Sequence, residues 1–141
     1  MSVTSGSTDV RLHHIGVITE NLEGSMSFYT RLGYVASAVY ADPMQKAQIV
    51  LMQKEPEPLV ELITPDSSDS PAATWIQRIQ AGPYHTAYEV DDLEAMIASL
   101  RLQDLYPVLG PMPAIAFDMR RIVFLWGECS GLLELVETRR T

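Results

Sequence analysis

Two histidines and two glutamates stand at matching places in a chain that repeats itself once. His14-Ile15-Gly16-Val17 is followed by Asn21-Leu22-Glu23 and later by Val60-Glu61-Leu62. His85-Thr86-Ala87-Tyr88 is followed by Asp92-Leu93-Glu94 and later by Leu133-Glu134-Leu135. The offset is 71 residues from His14 to His85 and from Leu22 to Leu93, and 73 from Glu61 to Glu134. A repeat is read before single motifs, because each copy takes the same place in its own half of the fold. A lone histidine in an apolar strand is ordinarily a hydrogen-bonded core residue, and a lone glutamate there ordinarily faces water. Two matched pairs brought to one point are a different case, since four uncompensated polar groups at a domain centre would be costly. One divalent metal ion would satisfy them together. Mixed imidazole and carboxylate donors suit Zn, Ni, Co, Mn or Fe, so His14, Glu61, His85 and Glu134 are the expected metal ligands. On an octahedral ion they leave two adjacent positions, which suits a substrate with two neighbouring oxygens.

Several elements must carry these residues. Residues 11–18 alternate as a strand does, with Leu12, His14, Gly16 and Ile18 on one face and His13, Ile15 and Val17 on the other. Asn21 reads as an N-cap, and Leu22, Met26, Tyr29 and Leu32 follow at helical spacing. Gly33 suits the left-handed stop. Strands are expected over 34–40, 47–52 and 59–63, which makes this half β-α-β-β-β. In the connector, Ser70-Pro71 predicts a helix from 71 to about 80, anchored by Trp75, Ile76 and Ile79 and ended by Gly82-Pro83. The second half repeats the plan: a strand over 84–90, a helix capped by Asp92, Asp104 in the place of Gly33, and strands over 106–109, 122–126 and 132–136. Residues 110–119 read as a Pro- and Ala-rich loop bordering the site. The expected organisation is a flexible tail at 1–10 and a single α+β domain over 11–138. Within it, module one spans about 11–65, the connector 66–83 and module two 84–138.

The 141 residues are 47% apolar and 20% charged, which is globular composition. The net charge of −8, with Lys46 and Lys54 the only lysines, excludes a general nucleic-acid partner. No apolar run approaches the roughly 20 residues of a membrane span. Cys129 stands alone, so no internal disulfide is expected and a reducing compartment fits. Residues 1–9 have no apolar leader core, and a cytoplasmic location is expected.

The segments His14-Ile15-Gly16-Val17, Asn21-Leu22-Glu23, Phe28-Tyr29 and Leu32-Gly33, with Leu59-Val60-Glu61-Leu62-Ile63, resemble the vicinal oxygen chelate (glyoxalase/bleomycin resistance) superfamily. So do Tyr84-His85-Thr86-Ala87-Tyr88-Glu89-Val90, Arg121-Ile122-Val123-Phe124-Leu125 and Gly131-Leu132-Leu133-Glu134-Leu135-Val136. Within it the likeness is closest to the methylmalonyl-CoA epimerases. The resemblance covers about 11–138. It implies paired βαβββ modules around an open, barrel-like cleft, with one divalent ion on the four residues above. It implies proton movement next to a carbonyl through a metal-stabilised enolate, as an epimerase, isomerase or lyase. Glu134 is then both ligand and catalytic base. The resemblance further implies a small-molecule substrate of acyl-thioester type, and a homodimer. In the epimerases a Glu precedes the Gln of the loop matching Pro43-Met44-Gln45. Met44 stands there in this chain, so one acid/base carboxylate is missing, while Gln45 remains as a substrate contact. Arg120 and Arg121 are further candidates for gripping a carboxylate or phosphate, with an exposed charged turn as the alternative. Three other functions share the fold. They are glyoxalase I (lactoylglutathione lyase) acting on a hemithioacetal, a non-haem iron dioxygenase, and a small-molecule-binding resistance protein. A fourth ligand, Glu61, argues against the dioxygenase, and the full ligand set argues against the binding protein.

Overall fold

Two histidine-bearing strands lie side by side at the middle of one sheet. The computed structural model describes residues 10–139, so the tail expected at 1–10 lies, except for Val10, outside the described residues. Module one comprises β1 (Arg11–Ile18), α1 (Leu22–Arg31), β2 (Val35–Asp42), β3 (Ala47–Gln53) and β4 (Leu59–Pro65). A connector helix, α2 (Ala73–Ile79), leads to β5 (Gly82–Val90), α3 (Leu93–Arg101), β6 (Tyr106–Ala114), β7 (Arg120–Gly127) and β8 (Gly131–Glu137). Among the described residues the eight strands form one sheet in the order β2-β3-β4-β1-β5-β8-β7-β6, curled into a half-barrel. The order reads the same from either edge once β1 is matched with β5 and β4 with β8, which is the pseudo-twofold symmetry of the repeat. The modules join through antiparallel β1–β5 pairing, while β4 runs parallel to β1 and β8 parallel to β5.

Side-chain alternation separates three cores. On the convex side Val17, Val50, Met52, Val60 and Leu62 pack beneath Leu22, Met26 and Tyr29 of α1. Val90, Val123, Leu125 and Leu135 do the same with Leu93, Met96, Ile97 and Leu100 of α3. The concave side buries Ile18, Ile49 and Ile63 from module one with Met112, Ile122, Phe124 and Val136 from module two, and Trp75 and Ile76 of the connector pack against them. The expected helix caps are present. Asn21 accepts from the Gly24 amide at 2.9 Å and Asp92 from the Ala95 amide at 3.0 Å. After the helices, Gly33 and Asp104 both take positive φ, +100° and 62°.

Two elements differ from the sequence-based expectation. Helix α2 starts at Ala73, because the Ser70 hydroxyl donates to the Gln45 carbonyl at 2.7 Å and pins the connector to module one. It ends at Gln80 with φ 63°, so Gly82-Pro83 opens β5 instead of stopping the helix, and Ile79 is 37% exposed while Trp75 and Ile76 do the packing on the concave core. The first half of the loop expected at 110–119 is strand: β6 runs to Ala114 and a 3-10 turn, Ile115–Phe117, follows. Its prolines are tolerated because β6 is an edge strand, where a missing N–H need not break a ladder bond.

Candidate metal centre

Four adjacent central strands deliver one ligand residue each: Glu61 from β4, His14 from β1, His85 from β5 and Glu134 from β8. All are buried, at 1%, 0%, 4% and 1% exposure, and one potential ligand atom from each falls within 4.8 Å of the others. His14 Nε2 lies 3.0 Å from Glu134 Oε1, 3.2 Å from Glu61 Oε1 and 3.2 Å from His85 Nε2. His85 Nε2 lies 2.9 Å from Glu134 Oε1 and 3.6 Å from Glu61 Oε1. Glu61 Oε1 makes no well-aligned hydrogen bond despite these short distances. A buried acceptor without a donor, facing two imidazole nitrogens and a second carboxylate, fits a divalent cation.

Small residues make room for the rings. Ala87 faces His14 across the β1–β5 ladder and Gly16 faces His85. A Cβ on Gly16 would stand 2.0 Å from His85 Cε1. Gly16→Ala is therefore expected to displace the His85 ring, lowering stability by about 1–3 kcal/mol and weakening ion uptake. Denaturant melts and a metal titration of the variant check both effects.

The β1–β5 ladder carries two irregularities with a direct consequence. Leu12 pairs with Tyr88 and His14 with Ala87, which leaves His13 as an extra residue. Gly16 pairs with His85 and Val17 with Pro83, which leaves Tyr84 as another. A bulge breaks strict alternation and lets neighbouring side chains share a face. The expectation that His13 points away from His14 is thus corrected, since His13 Nδ1 lies 2.8 Å from His14 Nδ1. Phe117 stacks on His14 with centroids 5.1 Å apart and meets the His13 ring edge-on at 4.9 Å. In the symmetric place, Tyr84 meets His85 edge-on at 4.6 Å. The sequence reading gave His13 and Tyr84 no part in the site. The available signal was the 71-residue offset, which relates His13 to Tyr84 as it relates His14 to His85.

The structure separates the remaining expected site residues. Gln45 is buried, donates from Nε2 to Asp42 Oδ2 at 3.1 Å, and lines a cavity of about 330 Å³ with Trp75, Tyr84, Phe124, Trp126 and Leu132. Arg120 reaches the centre's neighbourhood: Nη1 donates to Glu89 at 2.6 Å and Nη2 lies 3.2 Å from His13 Nε2. Arg121 does not reach it. Alternation along β7 turns it outward, where it pairs with Glu137 at 2.6 Å and with Glu94 of α3 at 2.7 Å.

Burial opposes a charge on His14, but Glu61 and Glu134 outweigh it and raise its pKa to about 10 in the metal-free protein. Burial likewise pushes both carboxyls up, and His14 more than reverses this, holding them below the usual glutamate range. His85 is raised chiefly by its bond to Glu134, against burial. A histidine bound more tightly to its proton in the folded state stabilises below its unfolded pKa, and that contribution goes as pH rises through the folded one. The metal-free protein is therefore expected to lose stability between pH 6.5 and about 10. Zn(II)-loaded protein should lose less, because the cation replaces the proton. Denaturant melts across that range, with and without Zn(II), test this.

Paired βαβββ modules with imidazoles and carboxylates on the four central strands define the glyoxalase-type class of α+β protein. The chain belongs to the Glyoxalase/Bleomycin resistance protein/Dioxygenase superfamily, whose family model matches residues 13–124. It is 30% identical over 130 residues to mitochondrial methylmalonyl-CoA epimerase of Mus musculus, covering 90% of this chain and 72% of that one. The crystal structure of methylmalonyl-CoA epimerase from Mycobacterium tuberculosis superposes with a TM-score of 0.82 at 26% identity, covering 99% of this chain and 94% of that one. A Streptomyces coelicolor methylmalonyl-CoA epimerase variant in complex with 2-nitronate-propionyl-CoA shares the fold at 22% identity and a TM-score of 0.80, over 92% and 98% of the two chains. This kinship makes the protein an enzyme, an epimerase of the vicinal oxygen chelate type. Among the described residues no helix is long and apolar enough to cross a membrane.

Proposed function

We propose that this epimerase is metal-dependent, with the ion held by His14, Glu61, His85 and Glu134, and that its substrate is an acyl-CoA thioester of the methylmalonyl-CoA kind. The convergence of four buried ligand groups on the cleft, within 4.8 Å of one another, carries this reading. A divalent ion bound there supplies Lewis acidity toward a carbonyl oxygen. Inverting a carbon next to that carbonyl requires a proton to leave and another to arrive. Glu134 is the proposed base at its carboxylate oxygens, which the centre already holds in place. Met44 offers no carboxylate. Of the residues lining the adjoining cavity, Tyr84 alone has an ionisable side chain. Burial, with Glu61 and Glu134 nearby, holds its phenol well above the ordinary value, so its proton stays on at neutral pH. Tyr84 is proposed to keep a donor at the cavity wall, and Gln45 to orient the acyl group through its amide. The apolar walls from Trp75, Phe124 and Trp126 exclude water from the reacting carbon. A homodimer is the proposed working unit.

The test is solvent-deuterium incorporation at the α-carbon of methylmalonyl-CoA, with protein loaded with Zn(II), Ni(II), Co(II), Mn(II) or Fe(II). Exchange that disappears on chelation and returns with metal is the expected result. Metal-loaded protein that exchanges no α-proton would overturn the proposed substrate.

A further inference from the structure

A buried carboxylate fixes which end of the Gln45 side chain faces the apolar cavity. Asp42, 2% exposed, closes the turn between β2 and β3. Its Oδ1 accepts from the Met44 amide at 2.9 Å and the Gln45 amide at 3.1 Å, and its Oδ2 accepts from Gln45 Nε2 at 3.1 Å. The backbone is tied as well, since the Gln45 carbonyl accepts from the Ser70 hydroxyl at 2.7 Å. A carboxylate only accepts, so it dictates the orientation of a side-chain amide beside it. Nε2 is turned to Asp42, and Oε1 must face the other way. Gln45 is 5% exposed and lines the cavity, and its Oε1 accepts from no described residue. The cavity wall therefore carries a fixed acceptor, which calls for an N–H or O–H on the occupant.

The acyl group itself offers no such donor. A methylmalonyl thioester presents a thioester carbonyl and a carboxylate, and both accept. The first donor along an acyl-CoA is the secondary amide N–H of the thioester arm, an ethylene link away from sulfur. We propose that Asp42 is a positioning residue that holds Gln45 as the acceptor for that amide N–H, so that the arm lies in the apolar cavity and the acyl group is oriented from its thioester side. This rests on the acyl-thioester reading above. Charge favours the same end of the cleft. No charged side chain lines the cavity, and Arg78, which lies over the Trp75 ring at 5.5 Å from its centroid, makes no ion pair with a described residue. The polar groove of module one is lined by Glu55, Glu57 and Glu89, with Arg11 among them, and its carboxylates would repel the phosphates at the far end of the arm.

The experiment compares two short probes on the full chain supplied with Zn(II). One is the methylmalonyl thioester of N-acetylcysteamine. The other is the methylmalonyl thioester of 2-mercaptoethyl acetate, in which an ester oxygen replaces the amide N–H. Fluorescence of Trp75 and Trp126, the chain's two tryptophans and both on the cavity wall, reads binding, and α-deuterium exchange is followed alongside. The wild type is expected to bind the amide probe about tenfold more tightly, because the ester leaves the buried Gln45 acceptor without a donor. Asp42→Asn keeps an oxygen for the two backbone amides but puts an N–H where Oδ2 was. Gln45 must then turn Oε1 to residue 42 and Nε2 to the cavity, and the preference is expected to fall about tenfold, to parity or below. Gln45→Met, with no acceptor, should reach parity too. The ratio is taken within each protein, so a general loosening of the cavity leaves it unchanged. A wild-type ratio near one, or a ratio that neither variant lowers, would overturn the inference while α-proton exchange keeps the proposed substrate standing. A ratio lowered by Gln45→Met alone would remove Asp42 from it. Wild-type protein that binds neither probe and exchanges no α-proton would take away the acyl-thioester reading, and this inference with it.

Discussion

Glu134→Gln leaves a folded protein whose turnover is down by about 10²–10⁴-fold or more, the range that a positioned acid or base contributes. The amide matches the carboxylate in size and still offers one oxygen toward His14 and His85, which lie 3.0 and 2.9 Å from Oε1. It has no basic oxygen with which to take a proton. Glu134 is both a ligand and the proposed base, so rate and metal content are measured on the same sample. Retained metal with lost α-proton exchange assigns the base role. Joint loss of metal and rate shows only the ligand role. Turnover like that of the wild type would take Glu134 out of the mechanism.

His14→Ala is expected to empty the centre and to destabilise the protein even without metal. His14 is the only described residue that lies within 3.2 Å of both Glu61 and Glu134, and it outweighs the cost of their burial in the metal-free state. Removing it leaves two buried carboxylates facing each other with only His85 between them. Breaking such a buried pairing costs about 3–5 kcal/mol. Elemental mass spectrometry should find bound metal in the wild type and none in the variant, and denaturant melts of chelated samples should show the loss of stability. A variant that keeps both its metal and its midpoint would show that the centre is not organised around His14.

The parts legible in advance were those encoded locally and stated twice. Asn21 and Asp92 cap helices because a short acceptor side chain meets free N–H groups at the first turn, whatever the rest of the fold does. Gly33 and Asp104 take positive φ for an equally local reason. The four proposed ligands were found because each copy of the repeat carries one His and one Glu on an inner strand, and symmetry alone then sends them to one point. Proline misled the reading of 110–119. It argues against a strand only where the N–H is needed, and β6 turned out to be an edge.

By itself the sequence determined the βαβββ repeat, its helix ends, its acidic balance and the identity of the four residues that meet. The tertiary structure decided which side chains surround them. His13 turns toward His14, and Tyr84 toward His85, because bulges appear where β1 meets β5. Arg120 and Arg121 are adjacent in the chain, yet one reaches His13 and the other lies with α3. The reason is the same throughout. Caps and periodicity are settled within a few residues. Register, bulges and the partner of a long charged side chain depend on which strand lies alongside, and that is decided only when the two halves pair.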